Sequence, residues 1–116
     1  MFLVRTDLVV SRLCKMVNDQ ACFAFVVHRG DPIGGVLLLD VQDQHGRYIL
    51  QPQRDLYTHQ VSWLPVRCDE KDVGLFYDGW IERYVSFDSD AWVVGLEGQD
   101  LSDAINFMHD MVRGGI

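Results

Sequence analysis

A chain of 116 residues, 48% hydrophobic and 23% charged, has the make-up of one packed globular domain able to bury about two-thirds of its unfolded surface. The net charge of −7 sits in the second half: seven Lys and Arg meet six acids through Cys68, whereas eleven acids from Asp69 onward meet only Lys71, Arg83 and Arg113. That balance argues against nucleic acid, whose phosphates need clustered cations, and no apolar run approaches the ~18 residues of a membrane span.

Leu8, Val9, Leu13, Met16 and Val17 recur at helical spacing behind Thr6, a good N-cap, and Asn18-Asp19-Gln20 closes this first helix. Cys22 to His28 reads as a strand and Gly35 to Val41 as a second, with Gly30-Asp31-Pro32 and Gly34-Gly35 as a tight turn between them. Both runs are apolar, β-branched and aromatic, so both are expected to be buried on two faces at the centre of the fold. Asp43-Gln44-His45-Gly46 is a second turn, with Gly46 free to take a positive φ. Arg47 to Gln51 is a third strand, ended by Pro52. Three strands joined by two short turns read as an antiparallel meander.

Gln53 to Gln60 has no period and is a loop carrying Leu56 and Tyr57; Val61 to Arg67 resembles a fourth strand that Pro65 marks as an edge. Asp69-Glu70-Lys71-Asp72 has the acidic character of a helix start. Val73, Phe76, Tyr77, Trp80, Ile81, Tyr84 and Val85 then form a helical stripe. Gly74 and Gly79 weaken it by about 1 kcal/mol each, which puts the start near Leu75. Asp88-Ser89-Asp90 turns into a strand from Ala91 to Leu96. Asp100 caps a last helix with Leu101, Ala104, Ile105, Met108, Met111 and Val112 on one face, and Gly114-Gly115 ends it. The fold class is α+β: a mostly antiparallel sheet of about five strands, with an N-terminal helix, a helix before the last strand and a C-terminal helix. The helices are expected to cover one face of the sheet.

Met1 to Asp7 lacks a basic segment followed by an apolar core, so no secretory signal is expected and the cytoplasm is the default location. Cys14, Cys22 and Cys68 agree, being irregularly spaced and suited to act as small reduced hydrophobes. His28, His45, His59 and His109 are scattered without metal-ligand spacing, and no serine lies in a Gly-x-Ser-x-Gly elbow. Gly30 with Gly34-Gly35 precedes a strand rather than a helix, which is not a dinucleotide fingerprint. No metal or cofactor is expected, and neither nucleic acid nor membrane as a partner.

The one crowding of ionisable types is His28-Arg29-Gly30-Asp31. Arg29 could bind a carboxylate or other anion in a bidentate manner, with Asp31 orienting it or acting as acid or base. Turn chemistry also accounts for these residues, since Gly30 and Asp31 accept turn geometry and Pro32 fixes φ. Asp40, Asp78, Glu82 and Glu97 could converge as paired carboxylates or simply solvate the surface. The acidic half likewise reads as a solvated surface or as an acidic face for a basic partner. Trp63, Trp80, Trp92, Tyr77 and Tyr84 are expected mostly in the core. Phe107, Met108 and Met111 could pack on their own domain or exchange with a second copy, which leaves a homodimer open.

Arg5-Thr6-Asp7-Leu8, Arg29-Gly30-Asp31-Pro32 and Phe87-Asp88-Ser89-Asp90-Ala91-Trp92-Val93-Val94 occur in this order. Together they resemble a small bacterial family of unknown function, mainly alphaproteobacterial, with motifs like TDLWVSALLRR, RGDP and FDPDLWVVEIED. The resemblance runs from Arg5 to Gly98, as the core of a single domain over residues 1–116, and leaves 99–116 as a C-terminal helical extension. Val9 stands where the family has an aromatic residue, Ser89 where it has proline, and Gly95 where it has an acid. The resemblance implies one compact domain and no activity. With no catalytic constellation visible, the sequence leans towards a non-enzymatic binding or assembly module acting through protein contacts. The alternative is a small enzyme or ligand-binding domain with its site at the first β-turn, at His28, Arg29 and Asp31.

Overall fold

The computed structural model describes residues 5–113, apart from the side chains of Val112 and Arg113. The elements run α1 (Thr6–Asp19), β1 (Phe23–His28), β2 (Leu37–Asp43), β3 (Gly46–Arg54), β4 (Val61–Pro65), α2 (Val73–Phe87), β5 (Trp92–Glu97) and α3 (Ser102–Arg113). The expected α+β class holds, with all three helices in the anticipated places. The Gly114-Gly115 stop lies outside the described residues.

The sheet order is β1-β5-β2-β3-β4, and this overturns the meander. β1 and β2 do not pair; β5 lies between them, antiparallel to β1 and parallel to β2. Trp92 to Leu96 is buried at every residue, as befits a strand paired on both sides and covered on both faces. β2 is central as expected, with Leu37, Leu38, Leu39 and Val41 fully buried. β1 is not: it is an edge strand, flanked on one side only.

Two cores form on opposite sides of the sheet, so the helices do not share one face. Val9, Val10, Leu13 and Val17 of α1, Ala104 and Met108 of α3 and Leu101 just before it pack on Leu37, Leu39, Val41, Leu50, Trp92, Val94 and Leu96. The alternate positions of the strands point the other way, where Ile49 meets Tyr77 of α2 together with Phe76, Trp80 and Ile81. Alternation along each strand thus feeds two layers. Met108 is fully buried, and Phe107 and Met111 pack against the same core, so the apolar face of α3 is spent on its own domain.

Local departures have local causes. Thr6 is not the N-cap but the first helical residue; its hydroxyl donates instead to Gly35 O at 3.0 Å, inside the fold. α2 begins at Val73 rather than near Leu75, because the Asp72 carboxylate accepts from Leu75 N–H at 3.0 Å and offsets the weakness of Gly74. β3 runs through Pro52 to Arg54 because β2 pairing ends at Leu50, leaving no partner there for the missing N–H. β4 is the edge that Pro65 indicated. Gly46 takes φ +119° in the β2–β3 turn.

In that hairpin Tyr48 Oη donates to Asp43 at 3.1 Å. Burial, then the Asp43 charge, push its pKa up to about 12. A phenol raised in the folded state stabilises the fold below the ordinary tyrosine value and loses that contribution as pH climbs through the folded value. The unfolding midpoint is expected to drop between about pH 10 and pH 12. Tyr48→Phe should flatten that drop in urea titrations; an unchanged alkaline profile in the variant would assign the loss to other groups.

Candidate functional site

The segment carrying His28, Arg29 and Asp31 is not a hairpin turn. It is a connection that passes around the start of β5 on its way from β1 to β2. Asp31 N–H donates to Asp90 O at 2.9 Å, and Trp92 N–H donates to Val36 O at 2.7 Å. Trp92 Nε1–H donates to Asp31 O at 2.8 Å. His28 Nδ1 is 2.8 Å from Ala91 O, and the Asp31 carboxylate accepts from Gly34 N–H at 2.9 Å. The Arg29 guanidinium lies 5.2 Å from the centre of the Trp92 ring. α1 joins the knot through Thr6 N–H to Ile33 O and Asp7 N–H to Pro32 O. The three residues therefore share one region, and each has a structural partner there.

A second grouping lies on the α2 side of the sheet. Arg47 Nε and one of its terminal nitrogens meet both carboxylate oxygens of Asp40 at 2.9 and 3.0 Å. It also reaches Asp78 at 2.8 Å and Gly74 O at 3.3 Å, and its guanidinium stands over the Tyr77 ring. The hydrogen bond to Asp40 dominates in holding the arginine pKa above its ordinary value, against the opposing effect of burial. One guanidinium thus clasps β2, β3 and α2. Val27, Asp40, Arg47, Asp78, Ile81 and Glu82 line a cleft of about 330 Å³ beside it. Three of the four carboxylates singled out in the sequence do converge here.

The fourth, Glu97, is the register partner of Phe23 on β1, which places both on one sheet face. Phe25 is paired with Gly95, and a Cβ at Gly95 would lie 2.5 Å from two Phe25 ring carbons. The missing side chain therefore lets that ring lie over the strand. α2 covers β2 and β3 but leaves this rim open. Phe23 is 68% exposed, Phe25 45% and Val27 47%, and Val26, 46% exposed, points to the opposite face. Full burial of one such side chain is worth about 1.5–3 kcal/mol, so the strand leaves several kcal/mol of apolar contact unmade.

The protein-family comparison adds a match over residues 4–106 to the model described as "Protein of unknown function (DUF1491)". The chain belongs to the DUF1491 family. The fold agrees with a crystal structure of a DUF1491 protein from Caulobacter crescentus, 27% identical, covering 90% of this chain and 94% of that one, with a TM-score of 0.73. A solution structure of a DUF1491 protein from the same bacterium is 25% identical over 86% of this chain and 90% of that one, at 0.70. A protein from A. tumefaciens shares the fold at 20% identity, over 88% of this chain and 92% of that one, at 0.68. No curated protein matches. The DUF1491 relation establishes family and fold and brings no activity with it.

Within this DUF1491 domain, no helix among the described residues is long and apolar enough to cross a membrane, and no three His, Cys, Asp or Glu side chains there are placed to hold a metal. The exposed apolar rim was not visible in the sequence. Cys22 to Val27 has the unbroken apolar character of a buried strand, and only its pairing with β5 alone makes it an edge. Arg47 left a faint signal, as a cation at the head of the apolar strand β3.

Proposed function

We propose that this DUF1491 protein is a non-enzymatic binding module that holds another protein against the open rim formed by β1. The observation that carries this reading is the exposure of Phe23, Phe25 and Val27 on one face of an edge strand. Contiguous apolar side chains at a sheet edge invite aggregation, and soluble proteins shield or charge such edges. Here the apolar run is kept and the outer edge is capped at one residue: Asn18 accepts from Ala24 N–H at 3.0 Å and donates to Ala24 O at 3.5 Å. Occupying the backbone groups of Ala24 while leaving the side chains free suits a surface that meets its partner through side chains.

The alternative, a ligand site at His28, Arg29 and Asp31, has less behind it, because those side chains already serve the loop around β5. A cytoplasmic location belongs to the same proposal and is supported by the free thiols of Cys14, Cys22 and Cys68. The test is a photo-crosslinking amino acid placed at Phe23 and, as a control, at Asp103 on α3. In cells, illumination is expected to yield a discrete adduct from position 23 only. Equal labelling at both positions, or none at position 23, would sink the reading.

A further inference from the structure

We propose that the partner segment seated on this rim is a cationic amphipathic one: apolar side chains against Phe23, Phe25 and Val27, and Lys or Arg against the carboxylates around them. The inference rests on the binding-module reading and adds the chemistry of the partner. Phe23 and Phe25 stand two residues apart on one face of β1, and Val27 lines the cleft on the same side of the sheet. Phe23 and Phe25, two apart on a strand, are separated by about 6.6 Å; the register shifts between Val26 and His28, and Val27, inside that irregularity, continues the apolar row at the cleft.

Carboxylates bound the row. Glu97 is paired with Phe23 at one end. Asp78 and Glu82, one helical turn apart on α2, face Val27 across the cleft at the other. Among the residues lining the cleft the only cation is Arg47, which is already bonded to Asp40 and Asp78. The side chains of Glu82 and Glu97 make no hydrogen bond or ion pair among the described residues. The rim is thus apolar in the middle and net negative at its edges, and the complementary surface is apolar with positive edges.

The same charges argue against a second copy of this chain. A two-fold contact through β1 would bring Glu82 and Glu97 of one protomer towards those of the other, and like charges brought together at an interface cost free energy. Strand-to-strand pairing along the outer edge would also displace Asn18 from Ala24. An anionic or neutral apolar segment would fill the row but leave the two free carboxylates unmatched.

The experiment uses two fluorescein-labelled synthetic peptides of equal length and apolar content, one alternating Leu with Lys and one Leu with Glu, titrated with the full chain and read by anisotropy. The Leu–Lys peptide is expected to bind saturably, and the Leu–Glu peptide at least about tenfold more weakly. Glu82→Lys with Glu97→Lys should weaken Leu–Lys binding about tenfold or more. Asp103→Lys with Asp110→Lys makes the same change of net charge on α3, behind the opposite sheet face, and should leave binding within about twofold. Equal weakening by both pairs would reduce the effect to bulk charge and overturn the inference. Equal affinity for both peptides would overturn the cation preference while leaving the binding-module reading intact. Absence of saturable binding by either peptide also overturns it, and crosslinking at Phe23 then decides the broader reading separately. All four charged positions are exposed, and thermal unfolding of each variant confirms that the fold is kept.

Discussion

Alanine at Gly35 is expected to destabilise the protein by about 3 kcal/mol or more, a large share of the roughly 5–15 kcal/mol that holds a domain folded. Gly35 is buried in the connection between β1 and β2, and its N–H donates to Asp31 O at 3.3 Å. A Cβ there would overlap Asp90 O and would also lie 3.0 Å from both Asp31 O and Trp92 Cδ1. None of these can yield cheaply. Asp90 O accepts the Asp31 amide, Asp31 O accepts Trp92 Nε1–H, and Trp92 fills the main core. Moving any one breaks hydrogen bonds that the others depend on. Gly34→Ala is the control, since a Cβ there meets only Asp31 Oδ2 at 4.0 Å and should cost less than about 1 kcal/mol. Urea denaturation of the pair checks this, and similar midpoints for both would refute the knot.

Replacing Arg47 with methionine comes next in expected size, at about 2–3 kcal/mol. Asp40 is 16% exposed and Arg47 20%, so removing the guanidinium strands a half-buried carboxylate that has both oxygens bonded to it. Asp78 is 70% exposed, and its share of the loss is small because water screens it. Arg47→Met combined with Asp40→Leu should regain most of the stability, since the desolvated charge disappears with its partner. An Arg47→Met variant as stable as the parent chain would mean that the clasp contributes nothing. Recovery in the double variant, read from urea midpoints, would separate a stranded charge from simple lost packing.

The helices were legible because each carries its own signal: the apolar stripe of α1, the Asp72 start of α2 and the Asp100 start of α3 are all local. Strand existence was legible for the same reason. Strand neighbours were not. Two apolar strands with Gly and Pro between them satisfy every short-range rule for a hairpin, yet β5 lies between them, and nothing near Arg29 or Gly35 announces Asp90 or Trp92. The role of Thr6 escaped for a related reason, since a hydroxyl that caps its own helix and one that reaches Gly35 look alike in sequence. The carboxylates divide the same way: their number and late position were plain, but their gathering around Arg47 needed α2 laid across β2 and β3.

The residue order by itself determined the α+β class, the acidic second half, the three helices, the five strands and the edge position of β4, because periodicity, capping residues and proline act within a few positions. Tertiary structure alone decided that β5 enters the centre and β1 is left at the edge, that helices lie on both faces, and that Arg29 and Asp31 serve a knot. Those outcomes come from competition for burial between segments distant along the chain. Gln42 and Glu97 illustrate it: they lie 55 positions apart in the chain and are neighbours only because β5 pairs with β2.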